Sequence, residues 1–271
     1  MVGGQRRSRL SGVLLLAPAL VTILAVAIYP LVRSFLLSFQ DWRFNKSPVP
    51  TGFVGLEQYL YAFKDRIFIN SVVVTVEYTV LSVAMTIVLG LAVALILQKP
   101  TRVNLLVRSI LIFPYAVSAV LKGFSFRFML NEQYGILQLI IKTLIPSLAG
   151  FVWLANPFWA LFWIAVSEVW GWVGLYALMF IGALGTIPTD MFEAAKVDGA
   201  TNFQVFRHIL LPMLMPVLVI ATLLKTIFSL KIFDQVMVIA GGGPGRATQS
   251  INNFIYQVAF RNMDLGYASA V

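Results

Sequence analysis

The positions in this chain that could do chemistry are charged and aromatic residues set inside long apolar runs. Glu77 with Tyr78, Glu168 with Trp170 and Trp172, and Lys225 each interrupt a stretch otherwise almost free of ionisable groups. A charge held in hydrocarbon is costly, so each should face a polar cavity, another charged group or another subunit. Carboxylates accept hydrogen bonds from hydroxyls, and aromatic faces accept the C–H faces of a pyranose. Glu168 beside Trp170 and Trp172 therefore suits a sugar-like solute, and equally suits a polar contact between helices with the tryptophans near the lipid interface. Glu77 and Tyr78 carry the same two readings. Glu77, Tyr78, Glu168, Trp170, Trp172 and Lys225 together form the candidate substrate pathway. Lys231 and Asp234 are spaced to pair across one helical turn.

Other site chemistries find little support. The chain has no cysteine and one histidine, which removes disulfides, thiol chemistry and cysteine-based metal sites. His208, between Arg207 and Ile209, reads as a surface residue at a helix end, and no Ser-His-Asp arrangement surrounds it. Gly241 to Thr248, GGGPGRAT, is glycine-rich but lacks the Gly-Lys-Ser/Thr ending of a phosphate loop and follows no strand of an α/β unit. The expectation is a chain that is not an enzyme, holds no metal and binds no cofactor of its own.

The elements that must position these residues are membrane helices. The 271 residues are 59% hydrophobic and only 11% charged, with a mean hydropathy of +0.87, whereas about a quarter of residues are charged in soluble domains. The net charge of +9 is spread over Lys and Arg at the ends of apolar runs, which fits interfacial anchoring against lipid rather than nucleic acid. Arg6, Arg7 and Arg9 precede the first run and place residues 1–10 in the cytoplasm as a short tail, with residues 11–271 as the transmembrane domain. The first run is longer than a signal core and lacks a clear cleavage site, so it reads as a retained span.

Spans are expected over Gly12 to Val32, Val72 to Leu97, Leu105 to Phe128, Phe158 to Leu184 and Met213 to Ile239. Pro114 predicts a kink or break in the third. Leu36 to Arg66, rich in aromatic residues, should be extracytoplasmic. The run Leu137 to Leu148 reads as an interfacial helix on the outer face.

Between the fourth and fifth spans lies a polar stretch, Ile187 to Pro212, IPTDMFEAAKVDGATNFQVFRHILLP. Asp190 with Glu193 makes a capping-box pattern, so a helix is expected to start at Asp190. Gly199 offers a turn at its end, and Thr201 with Gln204 repeats the capping pattern for a second short helix that Pro212 should limit or kink. Helix, turn, helix is the predicted form. From the polar pattern alone, an ordinary interfacial hairpin joining two spans remains open.

Glu193, Ala194, Ala195, Asp198, Gly199, Ala200, Ile209, Leu211 and Pro212 resemble the cytoplasmic "EAA" loop of the membrane subunits of binding-protein-dependent ABC importers, the carbohydrate branch in particular. The similarity extends over nearly the whole chain: Tyr29-Pro30-Leu31, Ser38-Phe39 and Trp42, FVGLEQY from Phe53 to Tyr59, Gly241 to Pro244, and Gly266-Tyr267-Ala268. The resemblance implies an all-α, polytopic ABC importer type I permease fold with a six-span core and both termini inside, so the last span would follow Val271. It implies three protein partners: a second permease subunit, a pair of ATPase subunits that bind ATP and Mg, and an extracytoplasmic solute-binding protein. It also implies a carbohydrate substrate and a prokaryotic inner-membrane location. Residues 187–211 would be the coupling loop that docks in a cleft of the ATPase. A secondary transporter using Glu77 or Glu168 as a proton or cation carrier, and a membrane scaffold with no pathway, are the competing readings.

Overall fold

The computed structural model describes residues 15–148 and 150–271. The basic tail, including Arg6, Arg7 and Arg9, and the start of the first span lie outside the described residues. Helices dominate, and the described residues divide into two compact units, one of residues 15–69 with 254–271 and one within residues 70–253. Among the described residues, four helices are long and apolar enough to cross a membrane: α1 (Leu15–Leu37), α3 (Arg66–Leu97), α7 (Pro157–Leu184) and α9 (Asn202–Leu230). A bent pair, α4 (Arg102–Ala116) and α5 (Ala119–Met129), makes a fifth crossing if the two halves are one span.

In the first unit, α1 leads into a small ladder in which β1 (Gln40–Asp41) pairs antiparallel with β2 (Gly52–Phe53), and an isolated antiparallel bridge joins Arg43 to Asp264. Helix α2 (Glu57–Ala62) follows, and Asp65 accepts a hydrogen bond from the Ile67 backbone N–H (2.8 Å) at the start of α3. Helices α11 (Ile251–Tyr256) and α12 (Leu265–Ala270) contribute Phe254 and Tyr267 to a core with Ala62 and Val258. Arg43 pairs with Asp264 at 3.0 Å, and the Tyr267 hydroxyl donates to Asp65 (2.9 Å). Burial first, and then the Asp65 carboxylate, pushes the Tyr267 phenol far up from its ordinary value.

In the second unit the buried stripe of α3 is Ser71, Thr75, Tyr78, Ser82, Thr86, Gly90 and Ala94, while Val73, Val76, Val80 and Val88 are exposed. Small and hydroxyl residues inside, with branched apolar residues outside, is the pattern of a helix that meets other helices closely and shows its remaining surface to lipid. One cluster joins Tyr78 of α3, Phe126 of α5, Ile164 of α7 and Val236 of α10 (Asp234–Ile239). A second joins Ala94, Phe180, Leu184, Ile187, Leu210, Leu214 and Leu218.

The structure moves several expected boundaries. The first span continues to Leu37, through a π-helical turn at Leu24–Ile28 directly before Pro30. The third is broken as predicted: the helix is interrupted at Ile112, with Pro114 in the first turn of the segment that follows, and the chain bends by 96° at Val117–Ser118, where Ser118 caps α5 by accepting from the Leu121 N–H (3.3 Å). The fifth ends at Leu230, not Ile239, because the chain breaks before α10. That break leaves Lys231 and Asp234 out of both ion pairs found among the described residues. Helix α6 (Ile136–Leu144) occupies the run expected to be an interfacial helix.

Candidate functional site

Two places gather the residues singled out by sequence. The first is the elbow between α7 and α9. Helix α8 (Thr189–Val197) starts one residue earlier than expected, with Pro188 as its N-cap and no side-chain cap, so Asp190 lies inside the first turn. The fixed φ of Pro188, −59°, presets the entry, and an acid in the first turn suits the helix dipole without acting as a cap. The end of α8 follows the sequence closely. Gly199 takes φ +71°, its N–H bonds to the Lys196 carbonyl (3.1 Å), and the Ala200 N–H reaches the Ala195 carbonyl (2.9 Å), a Schellman ending.

Thr201 and Gln204 form the predicted capping box: the Thr201 N–H donates to Gln204 Oε1 (2.8 Å), and the Gln204 N–H to the Thr201 hydroxyl (3.4 Å). The second helix is not short. It runs on as α9, and the expected limit at Pro212 is replaced by a π-helical turn at Phe206–Leu210, where the Leu211 N–H bonds back to the Phe206 carbonyl. Such a turn changes the local register, so a ring without an N–H can follow without ending the helix. Proline follows a π turn in this way at Pro30 also.

Glu193, Ala194, Asp198, Gly199 and Pro212 are exposed, Ala200 and Leu211 are half-buried, and Ala195 is buried. Ala195, Asp198, Gly199, Ala200, Gln204 and His208 line a shallow cavity of about 340 Å³. Val197 and Phe203 stand out from the elbow, 88% and 67% exposed. Sequence reasoning passed over both, although an apolar residue in a polar motif loop was a readable signal. The base of the elbow is anchored: Ile187, Phe192 and Leu210 pack into the cluster with Phe180, Leu184 and Leu214. His208 is exposed, with Nδ1 3.1 Å from the Gln204 carbonyl oxygen.

The second place is a buried polar cluster within the residue 70–253 unit. Lys225 of α9 donates to Glu168 Oε1 of α7 (3.2 Å), and Gln235 of α10 donates to Glu168 Oε2 (2.6 Å). The Lys225 ammonium lies 5.0 Å from the centre of the Trp172 ring, which also packs on Phe228 (4.8 Å) and Tyr115 (5.1 Å). Lys225 is wholly buried and the Glu168 side chain 8% exposed. Tyr78 is buried in the adjoining apolar cluster. The structure does not bring Glu77 or Trp170 to this cluster. Glu77 lies on the exposed face of α3, and Trp170, 40% exposed, packs on Phe126. Residues two apart on a helix point to different sides, which separates Trp170 from Trp172.

Two members escaped the sequence reading. Gln235 sits one place after Asp234, the residue chosen there instead. Lys122 of α5 is only 5% exposed. A lysine flanked by AVL and by glycine was the available sign that it points inward.

The glycine-rich turn is structural. Thr248 donates to the Gly243 carbonyl (2.6 Å), Asn70 to the Arg246 carbonyl (3.0 Å), and Ser250 to the Ile232 carbonyl (3.0 Å).

Among the described residues the chain combines four helices long and apolar enough to cross a membrane with an exposed elbow closed by a Schellman ending and a capping box. The chain belongs to the family of binding-protein-dependent transport system inner membrane components, whose model matches residues 86–271. It is similar to a trehalose/maltose transport system permease protein, MalF, of Thermococcus litoralis, 36% identical over 262 residues covering 96% of this chain and 86% of the relative. It is also similar to a sulfoquinovosyl glycerol transport system permease protein, SmoG, of Agrobacterium fabrum, 34% identical over 97% of this chain and 84% of the relative. In fold it resembles a chain of a bacterial ABC transporter involved in the import of the acidic polysaccharide alginate, with a TM-score of 0.81 at 20% identity over 98% of this chain and 89% of that one.

Proposed function

We propose that this permease subunit carries a carbohydrate or sugar derivative across a prokaryotic inner membrane, driven by ATP hydrolysis in a separate pair of subunits. The trehalose/maltose and sulfoquinovosyl glycerol transport of two relatives supports a carbohydrate substrate. A second permease subunit would complete the pathway, and an extracytoplasmic binding protein would deliver the solute. Residues 187–211 are the coupling loop and face the cytoplasm, as does the N-terminus. Glu193, Ala194, Asp198 and Gly199 meet the ATPase, with Val197 and Phe203 as apolar anchors. Leu211 and Pro212 join the loop to its span.

The observation that carries this reading is the elbow itself. It is exposed at its tip, fixed by a Schellman ending and a capping box, and rooted through Ile187, Phe192 and Leu210 in the same core as α7 and α9. A hairpin that merely joined two spans would need neither the double capping nor the exposed apolar pair. Among the candidate pathway residues, Glu77 and Trp170 are available to contacts outside this chain, whereas Tyr78, Glu168, Trp172 and Lys225 are engaged within it. The Glu168 carboxylate, one of the two acids a secondary transporter would use, is held by Lys225 and Gln235.

Single cysteines at Glu193 and Gly199, in a sequence that otherwise has none, test the docking. Bifunctional crosslinkers should capture the ATPase in actively transporting vesicles. Transport that continues without the ATPase, or cysteines that never capture it, would refute the proposal.

A further inference from the structure

A cavity of about 620 Å³ lies wholly within the first unit, between residues 41–67 and residues 254–267. Its two sides are locked together. The Leu265 and Gly266 N–H groups both donate to the Trp42 carbonyl (2.9 and 3.1 Å), Arg43 pairs with Asp264, and the Tyr267 hydroxyl donates to Asp65. The backbones meet so closely that a Cβ added at Gly266 would overlap the Gln40 carbonyl oxygen. Phe254, Val258 and Tyr267 give the cavity a buried apolar wall. The rest of its lining is mostly polar. Asp41, Asn45, Lys46, Glu57, Gln58 and Asn262 make no side-chain hydrogen bond or ion pair among the described residues, so their polar atoms are open to a ligand.

These six groups select a kind of ligand. The three amides both donate and accept, Asp41 and Glu57 only accept, and Lys46 only donates. A phosphate would answer only the donors and an ammonium only the acceptors, whereas a hydroxyl answers both. Asp41, Glu57, Asp65 and Asp264 against Arg43 and Lys46 leave two negative charges around the cavity, which disfavours an anion. Tyr61, exposed on the same lining and held edge-on to Tyr267 at 4.9 Å, offers a ring to the C–H side of a pyranose. The volume falls within the range of about 300–1,000 Å³ typical of small-molecule sites. We infer that this cavity binds a neutral sugar through its hydroxyls, at a site separate from the Glu168 cluster. This rests on the carbohydrate-importer reading above, which puts residues 36–66 on the outer side of the membrane. A solvated, open site holds its ligand weakly, and a point of passage must release what it binds.

The test uses the membrane complex with both permeases and the ATPase pair in lipid nanodiscs, leaving out the binding protein because it would bind sugar itself. Saturation-transfer difference NMR is recorded with trehalose and with maltose. Ring protons of at least one disaccharide should receive saturation, while glucose 6-phosphate and a lysine tripeptide should not compete. Glu57→Gln and Asn262→Ala should each weaken the sugar by about five-fold, the loss of one hydrogen bond. Neither should move the unfolding midpoint, because both side chains are exposed and make no bond within the chain. Sugar binding that both variants leave unchanged places the sugar elsewhere and overturns the site. Binding of the lysine tripeptide in place of either sugar also overturns it, and marks an acidic contact for a basic protein surface. ATP-driven uptake in proteoliposomes, with the binding protein added, tests the importer reading separately. If uptake proceeds and neither disaccharide receives saturation, only the sugar site falls; if uptake is independent of ATP, the importer reading falls whatever the NMR shows.

Discussion

Replacing Lys225 with methionine keeps the length of the side chain and removes its charge. The partner left behind is Glu168, whose side chain is 8% exposed and which would retain only the Gln235 amide at 2.6 Å. Breaking a buried pair by deleting one member costs about 3–5 kcal/mol, because an uncompensated charge stays in the interior. Against a total stability of about 5–15 kcal/mol, that loss is severe. Lys225→Met with Glu168→Leu removes both charges, and such replacement by apolar groups is often neutral or stabilising. The remaining cost is the Gln235 amide left without its acceptor, about 1–3 kcal/mol. The double variant should therefore be more stable than the single one, despite carrying the larger change. Equilibrium unfolding of the purified subunit in mixed detergent micelles reads the order directly. If the two substitutions add, so that the double variant is the least stable, Lys225 and Glu168 do not hold one another and the cluster is not the pin between α7 and α9.

Gly199→Val should impair coupling through backbone strain alone, since no atom lies within 4 Å of an added Cβ but φ is +71°; a β-branched residue there costs about 1–3 kcal/mol, read as lost ATPase stimulation by the binding protein. Thr201→Ala removes one half of the capping box and should cost about 0.5–2 kcal/mol, with lower recovery of the ATPase on co-purification. Phe203→Ser should weaken ATPase binding several-fold while leaving the unfolding midpoint of the isolated subunit nearly unchanged, because the ring is 67% exposed. At alkaline pH, the stability contributed by Tyr267 is fully present below the ordinary phenol value of about 10 and is lost as pH rises toward its raised folded value. Tyr267→Phe should flatten that alkaline decline in a pH series of unfolding midpoints.

The spans were legible because hydrocarbon permits few backbone solutions: twenty or so apolar residues must be helical. The elbow was legible for a different reason, since Gly199, Thr201 and Gln204 act on neighbours within five residues. Asp190 misled because a capping pattern shows only that an acid is well placed, and Pro188 had already fixed the entry. Pro212 misled because a π turn one residue upstream absorbs what a proline would otherwise break. The polar cluster was half readable. Charges in apolar runs flagged Glu168 and Lys225, but which face each helix turns inward depends on partners 57 and 67 residues away in sequence. Glu77 shows the same limit: its neighbour Tyr78 is buried and it is not, a difference of one residue on a helix whose outer surface is more apolar than its inner one.

The elbow and the buried cluster are parts of one mechanical element. Helix α9 begins at the capping box and carries Lys225 on an unbroken run, 21 residues beyond Gln204, which is about 31 Å at 1.5 Å per residue. A lever transmits motion only if its ends do not yield. At the elbow end the Schellman turn and capping box hold α8 against α9, and Ile187, Phe192 and Leu210 fasten both to Phe180 and Leu184. A push on the exposed tip must then displace α9 against α7 rather than bend the loop. Along that contact Leu214, Leu218 and Ala221 offer only apolar packing, which can slide. Lys225–Glu168 is a directional contact on that path, so if the elbow couples to the ATPase as proposed, this is the bond that must yield for α9 to move against α7.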